Sequence, residues 1–178
     1  MENFVFQSAT KIIFGKGTEM QTGNEVKNYS DNILLVHYGD EFIKESGTLD
    51  KVTESLAKSS VKYTELTGIK PNPLIGPVYE GIRICREKKI NFILALGGGS
   101  VIDTAKAIAA GVEYDGDVWD LYYDKIPFGK ALPVGVIVTI PATGSEGSNG
   151  SVITNDKTGY KIAIIDDCLR PKFDIINP

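Results

Sequence analysis

Phe92-Ile93-Leu94-Ala95-Leu96-Gly97-Gly98-Gly99-Ser100-Val101-Ile102-Asp103-Thr104-Ala105-Lys106 is the stretch whose reading decides the fold. An apolar run short enough for a buried strand ends at three consecutive glycines. The pattern then changes period, so that Val101, Ile102, Ala105, Ile108 and Ala109 line one face of a helix. Strand, tight turn and helix follow in that order. A turn without Cβ atoms lets a ligand approach the backbone closely. The unpaired N–H groups of the first helical turn, with the helix dipole behind them, suit a pyrophosphate. Ser100 stands where a helix cap belongs, and Ser100-x-x-Asp103 has the spacing of a capping box, which would end a helix without any ligand. The run is not G-x-G-x-x-G, so the ordinary dinucleotide fingerprint is missing.

Outward from this unit the chain keeps alternating strands with helices. Phe4-Val5-Phe6 and Lys11-Ile12-Ile13-Phe14 read as a hairpin at the sheet edge, closed by Gly15-Lys16-Gly17. A helical stretch from about Thr18 to Tyr29 precedes the buried strand Ile33-Leu34-Leu35-Val36-His37-Tyr38. A helix over Thr48–Ser59, a half-exposed strand over Val61–Leu66 and a helix over about Leu74–Lys89 lead back to the glycine strand. After it come the aromatic segment Trp119, Leu121, Tyr122 and Tyr123, which reads as core or lid packing, and the buried strand Val134–Val138. Ser151–Thr154 and Tyr160–Ile165 then make a hairpin. The pattern predicts an α/β fold, Rossmann-like and doubly wound, with a mostly parallel sheet and an N-terminal β-hairpin.

In such a sheet the ligand crevice lies beyond the carboxyl ends of the strands. Asp40 stands there after the strand ending at Tyr38, either accepting hydrogen bonds from an adenosine ribose or capping the next helix. A ribose acid repels a 2′-phosphate, which favours NAD over NADP. Pro71-Asn72-Pro73 presents one amide between two fixed backbone positions, or simply enters a helix. Thr139-Ile140-Pro141-Ala142-Thr143-Gly144-Ser145 is rich in hydroxyls that either bind a cofactor or satisfy their own loop. Lys161 brings a positive charge to the crevice or is solvated.

Composition narrows the class further. The chain has 178 residues, 42% of them hydrophobic and 24% charged, which fits one domain with a sizeable core. A net charge of -4 without any basic cluster argues against nucleic acid as a partner. No apolar run reaches membrane-span length and Met1-Glu2-Asn3 does not begin a secretory signal, so a cytoplasmic protein is expected. Cys85 and Cys168 lack metal or redox spacing, and His37, the single histidine, closes an apolar strand where packing is its expected role.

Gly97-Gly98-Gly99-Ser100-Val101-Ile102-Asp103-x-x-Lys106, Pro71-Asn72-Pro73, Pro141-Ala142-Thr143-Gly144-Ser145-Glu146 and Val152-Ile153-Thr154-Asn155 together resemble the ordered blocks of the iron-containing, or group III, alcohol dehydrogenases, in their butanol dehydrogenase branch. The resemblance runs over essentially the whole chain. It implies a dinucleotide-binding domain over residues 1–178, followed in the family by an all-helical domain that carries a divalent metal, iron or another such as zinc. It also implies roles: Gly98, Gly99 and Ser100 at the pyrophosphate, Asp103 and Thr143 near the nicotinamide, Thr139, Asn72 and Lys161 elsewhere along the cofactor, and Asp40 at the ribose. NADP-using members carry a glycine and serine run where this chain has Tyr38-Gly39-Asp40-Glu41-Phe42, so NAD is expected. The family's aspartate and three histidines lie beyond Pro178, and no metal ligand transfers to this sequence. The resemblance thus implies the cofactor half of an enzyme interconverting a primary alcohol and its aldehyde, expected to form a homodimer, with this chain alone inactive. A glycerol dehydrogenase or dehydroquinate synthase relative and a non-catalytic nucleotide-binding module are the alternative readings.

Overall fold

A computed structural model describes residues 9–178. Strands β1 (Lys11–Phe14), β2 (Asn32–His37), β3 (Lys62–Leu66), β4 (Ile93–Gly97), β5 (Val134–Val138) and β8 (Phe173–Ile176) form one sheet, while β6 (Gly150–Thr154) and β7 (Lys161–Ile165) pair separately as an antiparallel hairpin. The helices are α1 (Thr22–Lys27), α2 (Glu41–Glu45), α3 (Thr48–Lys58), α4 (Ile75–Lys88), α5 (Gly99–Val112) and α6 (Val118–Tyr123). The six-stranded sheet runs in the order β1-β8-β5-β4-β2-β3 and every pair in it is parallel.

Burial explains the order. Every residue of β4 and β5 is buried, and so is β2 after Asn32; they occupy the middle, where a parallel sheet is covered on both faces. The exposed residues of β1 and β3 place those strands at the margins. The pleat sends Ile33 and Leu35 to one face, against Val26 of α1 and Val52 and Leu56 of α3. Leu34 and Val36 go to the other face, with Val78 and Ile82 of α4 and Ile102 and Ala105 of α5. Helices on both faces of a parallel sheet make the fold doubly wound, as the sequence pattern predicts.

Of the anticipated N-terminal hairpin, Phe4-Val5-Phe6 lies outside the described residues, and β1 pairs in parallel with β8, Ile13 opposite Ile175. β8 itself is absent from the sequence-based list, because Asp174 interrupts its short apolar run. The aromatic segment forms α6, in which Trp119 stacks on the fully buried Tyr122 at 5.6 Å between ring centroids, a core role.

From β2 the chain moves outward to β3, then returns to place β4 on the opposite side of β2. Between the carboxyl ends of β2 and β4 the winding reverses. That is where a doubly wound sheet opens a ligand crevice.

Candidate cofactor cleft

At this reversal lies a cleft of about 620 Å³. Asn72, Gly98, Gly99, Ser100, Asp103, Thr143, Ser145 and Lys161 line it, so most of the residues singled out in the sequence meet at one place. Asp40 and Thr139 are not among its walls.

The glycine turn works by space rather than by unusual torsion. None of Gly97, Gly98 and Gly99 takes a positive φ. A Cβ on Gly99 would lie 2.7 Å from the Thr143 hydroxyl, and one on Gly97 would lie 2.7 Å from a Val101 methyl. A Cβ on Gly98 would meet the Tyr38 hydroxyl at 3.2 Å. The missing side chains let the second loop and the ring of Tyr38 close over the start of α5.

α5 is capped differently from expectation. Gly98, in extended conformation, is its N-cap, and its carbonyl accepts from the Val101 and Ile102 N–H groups at 3.0 and 3.2 Å. No side chain caps the helix. Ser100 lies inside the first turn, so Ser100 and Asp103 do not form a capping box. Asp103 turns instead to the second loop: one carboxylate oxygen accepts from the Ser145 hydroxyl at 2.7 Å and the other from the Val152 N–H at 3.2 Å. Burial raises its pKa, opposed by those two hydrogen bonds and by the positive charges of Lys106 and Lys161. The uncapped helix start leaves backbone donors beside the cleft.

Lys106 is the group that sequence reasoning noted but gave no role. Its side chain is fully buried, and Nζ donates to the carbonyls of Ser145, Ser148 and Gly150 at 2.7, 2.8 and 3.0 Å. Longer contacts reach the Ser145 and Ser148 hydroxyls. Burial pulls its pKa down to about 8, while the carboxylates of Asp103 and Glu146 act in the opposite sense. An ammonium at neutral pH thus fastens the 145–150 segment to α5. A signal for this existed: α5 is apolar nearly all round, and a lysine inside such a helix needs buried acceptors.

The remaining walls are tied by specific bonds. Asn72 adopts φ 57°, a left-handed conformation asparagine tolerates better than most residues, and its Oδ1 accepts from Lys161 Nζ at 2.7 Å. The Pro73 carbonyl accepts from the Thr154 N–H at 2.8 Å, which brings the Pro71–Pro73 segment to the β6–β7 hairpin. Thr139 is half-buried behind the glycine turn, its N–H donating to the Gly97 carbonyl at 3.1 Å. Asp40 is exposed past β2, and its Oδ1 accepts from the Ile43 N–H at 3.1 Å, so it caps α2. Tyr38, Pro73, Ile140, Ala142, Ser148, Gly150 and Val152 complete the wall.

The same geometry tests for a metal. Among the described residues no group of three or more His, Cys, Asp or Glu side chains is placed to hold an ion. His37 is buried, and its Nδ1 accepts from the Gly39 N–H at 3.2 Å. The donor set for a divalent metal is therefore not found among these residues.

Comparison with known proteins gives the family. Residues 9–178 match the family model described as iron-containing alcohol dehydrogenase. Over all 178 residues the chain is 48% identical to a probable NADH-dependent butanol dehydrogenase 2 of Bacillus subtilis and 44% identical to NADH-dependent butanol dehydrogenase A of Clostridium acetobutylicum, covering 45% and 46% of those proteins. It superposes on the crystal structure of NADH-dependent butanol dehydrogenase A from Thermotoga maritima with a TM-score of 0.94 at 44% identity, covering 100% of this chain and 45% of that one. The chain spans about half the length of the relatives it matches. The match to that family model over residues 9–178, with relatives 44–48% identical over the whole chain, makes this chain a member of the iron-containing alcohol dehydrogenase family.

Proposed function

We propose that the cleft binds a nicotinamide dinucleotide and that this chain is the cofactor half of an alcohol dehydrogenase. The carrying observation is the uncapped start of α5 on a glycine turn at the β2/β4 switch point, opening into the cleft. The pyrophosphate lies on the Gly98–Ser100 turn. Asp103 and Thr143 stand at the nicotinamide end, Asn72 and Lys161 contribute along the opposite wall, and Ser145 orients Asp103. Thr139 acts by holding the Gly97 carbonyl rather than by touching the cofactor.

When bound, the dinucleotide supplies a hydride acceptor or donor at nicotinamide C4. This chain positions that group and shields it; Lys106 fixes the loop that forms one wall. In the complete protein the reaction is interconversion of a primary alcohol such as butanol and its aldehyde. Without a metal donor set among the described residues, the chain alone binds dinucleotide but does not turn over alcohol.

NAD is preferred over NADP because the exposed Asp40 carboxylate follows β2, where the adenosine ribose of a dinucleotide lies in such folds, and repels a 2′-phosphate. Paired fluorescence titrations with NADH and NADPH test this. NADH binds more tightly, and Asp40→Gly narrows the gap. Saturable binding of neither cofactor would sink the cofactor reading, and an unchanged ratio in Asp40→Gly would sink the role of Asp40.

A further inference from the structure

β2 is buried after Asn32 and ends on His37, which is 1% exposed. An apolar residue would fill that place, so a buried imidazole there has to be accounted for by its partners. Its Nδ1 accepts from the Gly39 N–H at 3.2 Å, which puts the proton of the neutral ring on Nε2. Leu35 and His37 point to the same face of the sheet, and Glu65 of β3 stands opposite Leu35 in register, so Glu65 is a diagonal neighbour of His37. Nε2 lies 3.5 Å from the Glu65 carboxylate. The imidazole is thus oriented by an acid on one side and turns its other nitrogen to the bend after β2.

The bond falls on a peptide group that is held at both ends. The Tyr38 carbonyl and the Gly39 N–H share one peptide plane; the carbonyl accepts from the Gly68 N–H at 3.0 Å while the N–H donates to His37. Gly39 has φ 75°, and glycine takes positive and negative φ about equally well, so its own backbone does not resist a flip of this plane. In the flipped plane the Tyr38 oxygen would turn toward the Nδ1 lone pair, acceptor against acceptor, and the Gly68 N–H would lose its partner. His37 therefore helps to select one orientation. Asp40 follows directly from that plane, exposed, with Oδ1 accepting from the Ile43 N–H at 3.1 Å.

We infer that His37 is a positioning residue for cofactor choice: its Nδ1 locks the Tyr38–Gly39 peptide and so fixes where Asp40 stands beyond β2. This rests on the reading of Asp40 as the group that turns away a 2′-phosphate. His37 touches no cofactor itself; it acts on discrimination through the bend.

His37→Leu and His37→Asn test this. The two replacements are close in shape, but only asparagine offers an oxygen that can accept from the N–H two residues on, as in an Asx turn. Leucine is the better buried residue of the pair, so an effect confined to His37→Leu is not one of lost stability. NADH and NADPH are titrated by calorimetry into wild type, both variants and Asp40→Gly, and exchange of the Gly39 amide is followed by NMR. In His37→Leu the Gly39 amide is expected to exchange faster and the preference for NADH to fall about fivefold, the worth of one net hydrogen bond. His37→Asn should keep slow exchange and a preference within twofold of wild type. A preference kept in His37→Leu but lost in Asp40→Gly would overturn the inference alone. Equal losses in His37→Leu and His37→Asn would also overturn it, since the acceptor would then be irrelevant. No preference for NADH in wild type would sink the Asp40 reading and this inference with it.

Discussion

Replacing Lys106 by methionine removes the ammonium and keeps an unbranched stem of similar reach. Three carbonyl oxygens, those of Ser145, Ser148 and Gly150, lose their shared donor. A hydrogen bond to a charged group is worth about 1.5–3 kcal/mol. Ser148 and Gly150 are half-exposed, however, and water replaces part of what they lose. Removing the burial cost of a charge offsets a further part. A net loss of roughly 2–4 kcal/mol remains. In a domain of this size that lowers Tm by roughly 5–15 °C, readable by calorimetry. A second arm uses pH. Because the folded Lys106 titrates near 8 against an ordinary 10.5, the unfolded chain holds a proton between those values that the folded chain has released. Stability therefore rises with pH across that window in the wild type, and the methionine variant lacks this contribution. The stability gap should widen between pH 8 and 10.5. A variant that melts within a degree of wild type would refute the clamp. A gap that narrows over that pH range would refute burial as the dominant influence on Lys106.

Two further substitutions probe the groups around this clamp. Asp174 is 1% exposed in β8, with Oδ1 lacking a hydrogen-bond partner, and burial followed by the Glu146 carboxylate pushes its pKa up to about 7. Between an ordinary 3.8 and that value the folded chain retains a proton that the unfolded chain has lost, so the contribution of Asp174 to stability falls as pH rises through the window. Asp174→Asn should gain on wild type from pH 4 to pH 8, by at most about 4 kcal/mol; denaturant melts with a constant difference across that range would contradict it. Gly99→Ala places a methyl 2.7 Å from the Thr143 hydroxyl and 2.8 Å from its Cγ2, at a cost of about 1–3 kcal/mol. Thr143→Ala should recover most of that cost, and strict additivity in the double-mutant cycle would show that the two residues do not compete for the same space.

What the sequence made legible, and what it did not, divides on physical grounds. Strands buried on both faces announce themselves as continuous apolar runs, so β2, β4 and β5 were legible within a residue or two, as were α3, α4 and the β6–β7 hairpin. The loops that meet at the cleft were legible because each follows the carboxyl end of a strand or precedes a helix in a parallel sheet. What sequence could not supply was partnership. Asp103 has capping spacing along the chain but finds Ser145 and Val152, more than forty residues away, because the second loop folds over α5. The sequence leaves Asp40 as either a ribose acid or a cap; in the structure it caps α2, and an exposed carboxylate can serve both. β8 was hidden because one buried aspartate breaks its four-residue run; the strand at Lys11–Phe14 was legible, but its pairing with β8 was not, because that partner lies at the far end of the chain. Lys106 and Tyr38 show the same limit from the other side. Each occupies an ordinary position in a helix or strand-end pattern, and only the folded chain shows that one clamps the loop while the ring of the other lies against the glycine turn.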